Sequence, residues 1–362
     1  MKIAIFTDTI FPDEVNGVAR VASRSAETLK ERGHDVRVWS TRNVPSVPFW
    51  GYPGLRLAFP VGKAFWEVRS FQPDIIHTHT PFGLGWEAVV SAKLLNIPLV
   101  GTHHTFFDHY LKHIKLDNAL MKNISWKYLT FHYNRYDIVL SPSQALLNEI
   151  RRNGLAQKTI AFPNAIDTKF FAHPARIHRK HARSLIYMGR VSYEKSIDQV
   201  IKAFKLINTE KPETTLTIVG DGPERKKLEE LVKKLHLENK VIFTGTLHGQ
   251  AHLKTLQDAD IFLTASKTDN MPMAIMEAMS VGLPIVGVNA LGIPEMVKDG
   301  LNGYVVAPDD LKSMAQKTLA LLEDDALREK FSKTSRELAL GYGEEKNAEI
   351  LENIYNALIQ NK

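Results

Sequence analysis

Short β-rich runs alternate with helix-period stretches along almost the whole of this 362-residue chain, and the alternation restarts half-way. Strands separated by helices return to one sheet only through crossovers, so the pattern demands parallel sheets built from βαβ units. The first set of runs is Lys2–Asp8, Asp35–Ser40, Asp74–Thr80, Pro98–Thr105, Asp137–Ser141 and Thr159–Pro163. The second is Ser184–Met188, Thr215–Val219, Lys240–Phe243, Ile261–Thr264, Leu283–Val288 and Tyr304–Val306. Val18, Val21, Ala22, Ala26 and Leu29 form one helical stripe between the first two runs, with Gly33 as its stop. The expected fold class is α/β, with two Rossmann-like domains in tandem over residues 1–172 and 173–344. A last helix over Asn347–Ile359 has Ile350, Leu351, Ile354, Tyr355 and Leu358 on one face. It could pack on either domain, and a return of residues 345–362 to the first is one option.

The join falls in Ala172–Arg183, a His- and Arg-rich stretch without apolar periodicity, which reads as a hinge. Contact with phosphate or nucleic acid is the alternative, but no interleaved aromatics support nucleic-acid readout, so no nucleic-acid partner is expected. An apolar content of 44% excludes disorder, and the absence of cysteine excludes disulfides, Cys-ligated zinc, iron–sulfur centres and thiol nucleophiles. Met1-Lys2 runs directly into a strand, so no signal peptide is expected, and Ala278–Pro294 is too broken by glycine and Pro284 to span a bilayer. The expected location is cytoplasmic, with or without peripheral contact on the cytoplasmic face of the membrane. The net charge of +6 is confined to the first half: residues 1–172 hold 20 Lys+Arg against 14 Asp+Glu, and the remainder is balanced.

Ligands of open parallel sheets collect beyond the carboxyl ends of the strands, so the chemistry is sought there. After the first run, Asn16-Gly17 permits close approach by an anion at a helix N-terminus, or is an ordinary turn. The lack of GxGxxG counts against a dinucleotide oxidoreductase. His77, His79, His103 and His104 stand at two strand ends. His77 and His79 share a face while His103 and His104 point oppositely, so four imidazoles do not converge and no metal site is expected. One substrate-contacting imidazole is expected from His103 and His104. Gly189-Arg190 and Lys195 precede a helix near Ile197, where two cations form a diphosphate clamp. Further on, Asp269 lies just before the Pro272 helix start and Glu277 inside the helix among Ile275, Met276, Ala278 and Met279. A glutamate there implies a hydrogen-bonding ligand or a face open to solvent. Asp258-Ala-Asp260, formally a DxD, reads as a helix stop, and Gly220-Asp221-Gly222-Pro223 as a strand–helix turn near the ligand.

Together these segments resemble the group 1 glycosyl transferases, retaining enzymes of GT-B architecture whose two domains face a central cleft. Gly189-Arg190…Glu194-Lys195, Val219-Gly220-Asp221-Gly222-Pro223, Phe243-Thr244-Gly245 and Glu277-Ala278-Met279…Gly282-Leu283-Pro284-Ile285-Val286 match the family's GR…EK, VGDGP, FxG and EAMAxGxPVV. Pro163-Asn164-Ala165-Ile166-Asp167 matches PNGID with Ala for Gly. The family's E-x7-E stands here as Asp269-x7-Glu277, one methylene shorter at the first carboxylate. The resemblance implies that Arg190 and Lys195 bind the donor diphosphate, with Gly17 nearby. It places Glu277 on the donor ribose and Asp269, Asn270 and Met271 on the donor sugar, with Gly220 and Thr244 in the same nucleotide-sugar site. His104 faces the transferred sugar, and Asn16 lies towards the acceptor. Catalysis would then rest on His104, Asp269 and Glu277, with no cofactor and no metal.

The first half resembles a narrower set acting on membrane lipids such as diacylglycerol, through Phe6-Thr-Asp-Thr-Ile-Phe-Pro, His77-Thr-His-Thr-Pro-Phe-Gly and Thr102-His-His-Thr-Phe-Phe-Asp-His-Tyr. Independently, Tyr110–Tyr136 mixes Lys112, Lys115, Lys122, Lys127 and Arg135 with Trp126, Tyr128, Phe131 and Tyr133, a composition suited to an anionic membrane or to a core helix pair. The leading expectation is a hexosyltransferase moving a sugar from a nucleotide-diphosphate donor, UDP-glucose favoured, to a lipid acceptor with retention. A soluble transferase using a UDP- or GDP-sugar on a sugar or small metabolite, a nucleotide-sugar epimerase and a non-catalytic binding module are the other readings.

Overall fold

Burial on both faces explains why the apolar runs become strands. The structure, a computed structural model, describes residues 1–9, 17–48, 56–59, 62–106, 111, 116, 118–172 and 183–362. All twelve expected runs are strands. The first six are β1 (Lys2–Phe6), β2 (Asp35–Trp39), β5 (Ile75–Thr78), β6 (Leu99–Thr102), β7 (Ile138–Ser141) and β8 (Lys158–Ala161). The others are β9 (Ser184–Met188), β10 (Thr215–Val219), β11 (Val241–Gly245), β12 (Ile261–Leu263), β13 (Ile285–Val288) and β14 (Gly303–Val306). Central strands such as β5, β6, β7 and β13 are buried at every residue, while the edge strands β8 and β11 carry exposed positions. A further antiparallel pair, β3 (Ser46–Pro48) with β4 (Arg56–Ala58), was not expected from sequence; three-residue strands, one ending in proline, give no periodic signal.

Helices follow their caps. The helix Gly17–Glu31 buries Ala19, Val21, Ala22, Ala26 and Leu29 and stops two residues before Gly33, whose φ of +89° suits the left-handed cap that glycine favours. Ser143, Asp310 and Asp324 each accept a backbone N–H three residues on, at the starts of their helices.

Two compact units result, Met1–Ala165 with Glu344–Lys362, and Ile166–Gly343. Each holds a parallel six-stranded sheet, in the orders β2-β1-β5-β6-β7-β8 and β11-β10-β9-β12-β13-β14. The order reverses between β1 and β5 in one and between β9 and β12 in the other, where successive crossovers leave in opposite directions and open a crevice beyond the carboxyl ends. The sequence placed residues 166–172 with the first domain, whereas the division falls at Ala165. Ile166 donates its N–H to Tyr342 O at 2.9 Å and pairs with Gly343, and Phe171 is buried in the core of the second unit. Of the expected hinge, residues 173–182 lie outside those described.

The last helix, Glu344–Gln360, belongs to the first unit. Arg24 on the first helix and Arg32 just after it grip Glu344 and Glu352 through paired guanidinium hydrogen bonds, those of Arg32 at 2.7 Å each. The Arg32 guanidinium holds the Glu352 carboxyl down to about 2. Leu351, Ile354 and Tyr355 fill the core, and the Tyr355 hydroxyl lies 2.6 Å from His77 Nδ1, while His77 Nε2 lies 2.7 Å from Thr102 Oγ1. Both ring nitrogens of this fully buried histidine are thereby satisfied, as a polar group inside a core requires.

Asp8, just beyond β1, is 2% exposed and accepts a hydrogen bond from Thr80 Oγ1. Burial pushes its carboxyl up to about 6, with the Thr80 hydroxyl and the backbone amides of Ala58 and Leu84 opposing the shift. A carboxyl raised on folding binds its proton more tightly in the native state. Stability is therefore lost as pH climbs from about 4 through about 6, and the cost is complete above that. Asp8→Asn is expected to gain stability over wild type by about 2–3 kcal/mol at pH 8 and to gain little at pH 4. Urea unfolding at both values checks this; a pH-independent difference would contradict it.

Candidate functional site

At the crevice of the second sheet, three strand-end loops close on one another through glycine. Gly189 N donates to Val219 O, Val191 N to Asp221 O and Gly220 N to Gly245 O, at 2.9–3.0 Å. A Cβ on Gly220, at φ +129°, would stand 1.9 Å from Gly189 O, and one on Gly222, at φ +159°, would stand 2.3 Å from Val191 O. Only glycine permits this approach, and it leaves backbone at the mouth of the crevice. Thr244, exposed near the end of β11, donates its hydroxyl to Gly245 O at 2.9 Å.

Arg190 leaves β9 half-buried, and Lys195 closes a short 3-10 turn, Tyr193–Lys195, before the helix Ile197–Glu210. Lys195 Nζ is ion-paired with Asp269, with side chains 21% and 17% exposed. Thr268 Oγ1 donates to Glu194 O at 3.3 Å, so the loop after β12 is tied to the loop after β9 across the strand-order reversal. Asn270 and Met271 follow, both buried. Pro272 stands immediately before the helix Met273–Ser280 as its N-cap. The structure thus gathers Arg190, Lys195, Asp269, Asn270, Met271 and Gly220 around one crevice. Arg190 and Lys195 precede the start of the helix Ile197–Glu210, and cations beside a helix N-terminus suit a diphosphate.

Glu277 is 5% exposed, so it does not stand on a face open to solvent, and its Oε2 lies 3.0 Å from His252 Nε2. His252 sits on the helix Gly249–Asp258 with its ring at 5.7 Å from Phe171. Sequence reasoning missed His252, since nothing in the spacing marks a residue one crossover away. Asp258 ends that same helix, and Asp260 Oδ2 accepts from the N–H groups of Arg183 and Ser184 at 2.8 and 2.9 Å, a structural tie at the amino end of β9.

In the first unit, Gly17 opens the first helix in an exposed position, with open space where a Cβ would stand; Asn16 lies outside the described residues. His104 is 9% exposed, and its Nε2 lies 2.9 Å from His79 Nδ1, with the two rings stacked at 5.2 Å. His77 and His79 lie with centroids 4.4 Å apart, whereas His103 turns the other way against Trp126 and Tyr133. Burial lowers the basicity of His79 to about 4 and holds His104 well below the ordinary imidazole range, with the neighbouring imidazoles adding to it. His104 is therefore a neutral hydrogen-bonding group at pH 7. Among the described residues no three His, Asp or Glu side chains are placed to hold a metal ion.

The helix Ala119–Tyr133 separates the aromatics that the sequence grouped together. Trp126 and Tyr133 are buried, while Leu120, Ile124 and Phe131 are exposed at 67%, 47% and 56%. Trp86, on the adjacent helix Gly83–Leu95, donates from Nε1 to Tyr128 Oη at 3.1 Å and lies 5.9 Å from Phe131, and Val90 and Leu94 of that helix are exposed as well. Tyr110, Lys112 and Lys115 lie outside the described residues. No helix among those described is long and apolar enough to cross a membrane.

Comparison with known proteins assigns the two halves separately. The glycosyl transferases group 1 family matches residues 169–338, and the glycosyltransferase family 4 model matches residues 15–170. The chain is 28% identical over 330 residues to the alpha-monoglucosyldiacylglycerol synthase of Streptococcus pneumoniae, covering 84% of this chain and 74% of that one. It is 27% identical over 352 residues to a GDP-mannose-dependent alpha-mannosyltransferase of Corynebacterium glutamicum, covering 90% and 81%. Anabaena HepE in complex with UDP shares the fold, with a TM-score of 0.79 at 18% identity over 99% of this chain and 100% of that one. With two Rossmann-like units of the GT-B class and a family match across each half, the chain joins a glycosyltransferase family 4 domain to a group 1 glycosyl transferase domain.

Proposed function

We propose that this transferase moves a hexose from UDP-glucose to a membrane lipid such as diacylglycerol, with retention, giving an α-linked glycolipid and UDP. In this reading Arg190 and Lys195 hold the donor diphosphate, with Gly17 nearby. They stabilise the charge that builds on UDP as it departs with the electron pair of the broken C1–O bond, a role that needs no divalent metal. Asp269, Asn270 and Met271 hold the sugar hydroxyls, Glu277 holds the ribose, and Gly220 and Thr244 border the nucleotide. Neutral His104 offers a hydrogen bond to the transferred sugar, and Asn16 lies on the acceptor side.

The observation that carries the lipid acceptor is the band of exposed Val90, Leu94, Leu120, Ile124 and Phe131 on two adjoining helices of the first unit. Lys122 and Lys127 lie on the second of these helices, and Arg135, two residues past its end, stacks over Phe131 at 3.6 Å. Apolar side chains standing out among cations suit the interface of an anionic bilayer, where each gains from leaving water. The S. pneumoniae relative, named as a glucosyldiacylglycerol synthase, agrees with a lipid acceptor.

Two measurements test this. Arg190→Ala and Lys195→Ala are expected to cut nucleotide release from UDP-glucose by about 100-fold with the fold intact, and undiminished turnover would remove the clamp. Wild type is expected to float with phosphatidylglycerol-rich vesicles, and Leu120→Ser/Ile124→Ser/Phe131→Ser to lose at least about tenfold in partitioning. A wild type that stays unbound and acts on a soluble sugar would favour the soluble-acceptor reading.

A further inference from the structure

Glu277 is a carboxylate 5% exposed, with Ile275, Met276, Ala278 and Met279 around it in sequence all buried. Such a group is tolerated only where donors replace the water it has lost. One donor is identified: His252 Nε2, at 3.0 Å from Oε2. A carboxylate oxygen accepts, so Nε2 is the donor of this bond. His252 is itself held. Its side chain is 13% exposed, its ring meets Phe171 at 5.7 Å, and its backbone belongs to the helix Gly249–Asp258. The pair therefore joins two helices through a nearly dry contact, and the glutamate rotamer is locked by a residue on a different element.

We infer that His252 is a positioning residue for the donor nucleotide: it aims the Glu277 carboxylate at the nucleoside's vicinal hydroxyls and so sets nucleotide affinity rather than the rate of transfer. The inference rests on the reading of Glu277 as the ribose contact and extends it to a residue one crossover away. The physical basis is that a hydrogen bond between two largely buried side chains fixes the position of both. Without His252 the carboxylate loses a donor and relaxes between rotamers, and each change weakens a two-hydroxyl contact.

The geometry also dictates which replacements work. A glutamine places its amide nitrogen near the position of Nε2, whereas the shorter asparagine reaches only the position of Nδ1 and leaves Oε2 without its donor. The test is titration of UDP into wild type, His252→Leu, His252→Gln, His252→Asn, Glu277→Gln and the His252→Leu/Glu277→Gln double variant, with thermal melts on each. His252→Leu and His252→Asn are expected to raise the Kd for UDP by about tenfold or more, the size of a lost charge-assisted hydrogen bond. His252→Gln should stay within about threefold of wild type, and nucleotide release at saturating UDP-glucose should change by less than about threefold in all three. In the Glu277→Gln background, His252→Leu should add little, because the two residues act as one unit. The inference is overturned if folded His252→Leu binds UDP as wild type does, if Gln and Asn behave alike, or if the two single effects simply add. If Glu277→Gln leaves the Kd unchanged, the ribose assignment itself fails, and an effect of His252→Leu would then lie elsewhere.

Discussion

Everything in the second unit that bears on chemistry hangs on how closely the backbone after β9 approaches the backbone after β10. Gly220 and Gly222 admit carbonyl oxygens of Gly189 and Val191 to where a side chain would stand. That contact holds three strand ends flush and presents the start of the helix Ile197–Glu210 towards the crevice where the strand order reverses. On the other side of the reversal, the loop from β12 brings in Asp269, Asn270 and Met271. Displacing the glycine contact by one methyl group would strain the loop that carries Lys195 to Asp269.

Several polar groups at the two sheet ends share one feature: each is buried or half-buried and held by another side chain. Lys195 is paired with Asp269, Glu277 with His252, His104 with His79, and His77 with Tyr355 and Thr102. Ion pairs and imidazole pairs of this kind stabilise little in themselves, but they define one orientation. Orientation is what the proposed reading asks of the residues it assigns to a diphosphate, a ribose and a sugar. The short Asp269 carboxylate, where the family pattern carries a glutamate, is engaged with Lys195, so the departure has a visible structural partner.

How much of this was legible in the sequence depends on the kind of interaction. Buried parallel strands are continuous runs such as Ile75-Ile76 and Ile285-Val286 between turn residues, and the more exposed edge strands β8 and β11 follow from the alternation with helices, so all twelve could be read directly. The hairpin of β3 and β4 could not, being too short for a period to show. Gly220 and Arg190 were legible through motif spacing. His252 was not, because periodicity reports which face of a helix is buried and says nothing of which polar group will meet it there. Asp8 was passed over for the same reason: burial at the strand end and the Thr80 hydroxyl are tertiary facts. In the stretch Ala119–Tyr133, composition mixed two faces that only packing separates, with Trp126 inward and Phe131 outward.

The central claim is that a nucleotide-sugar donor is used to glycosylate a lipid with retention. Its most direct test is mass and proton NMR analysis of the products formed from UDP-glucose and a membrane lipid extract. The account predicts a monohexosyl lipid whose anomeric proton shows the small coupling of an α linkage, formed in step with free UDP. A β-linked product, or UDP release with only free glucose beside it, would contradict it.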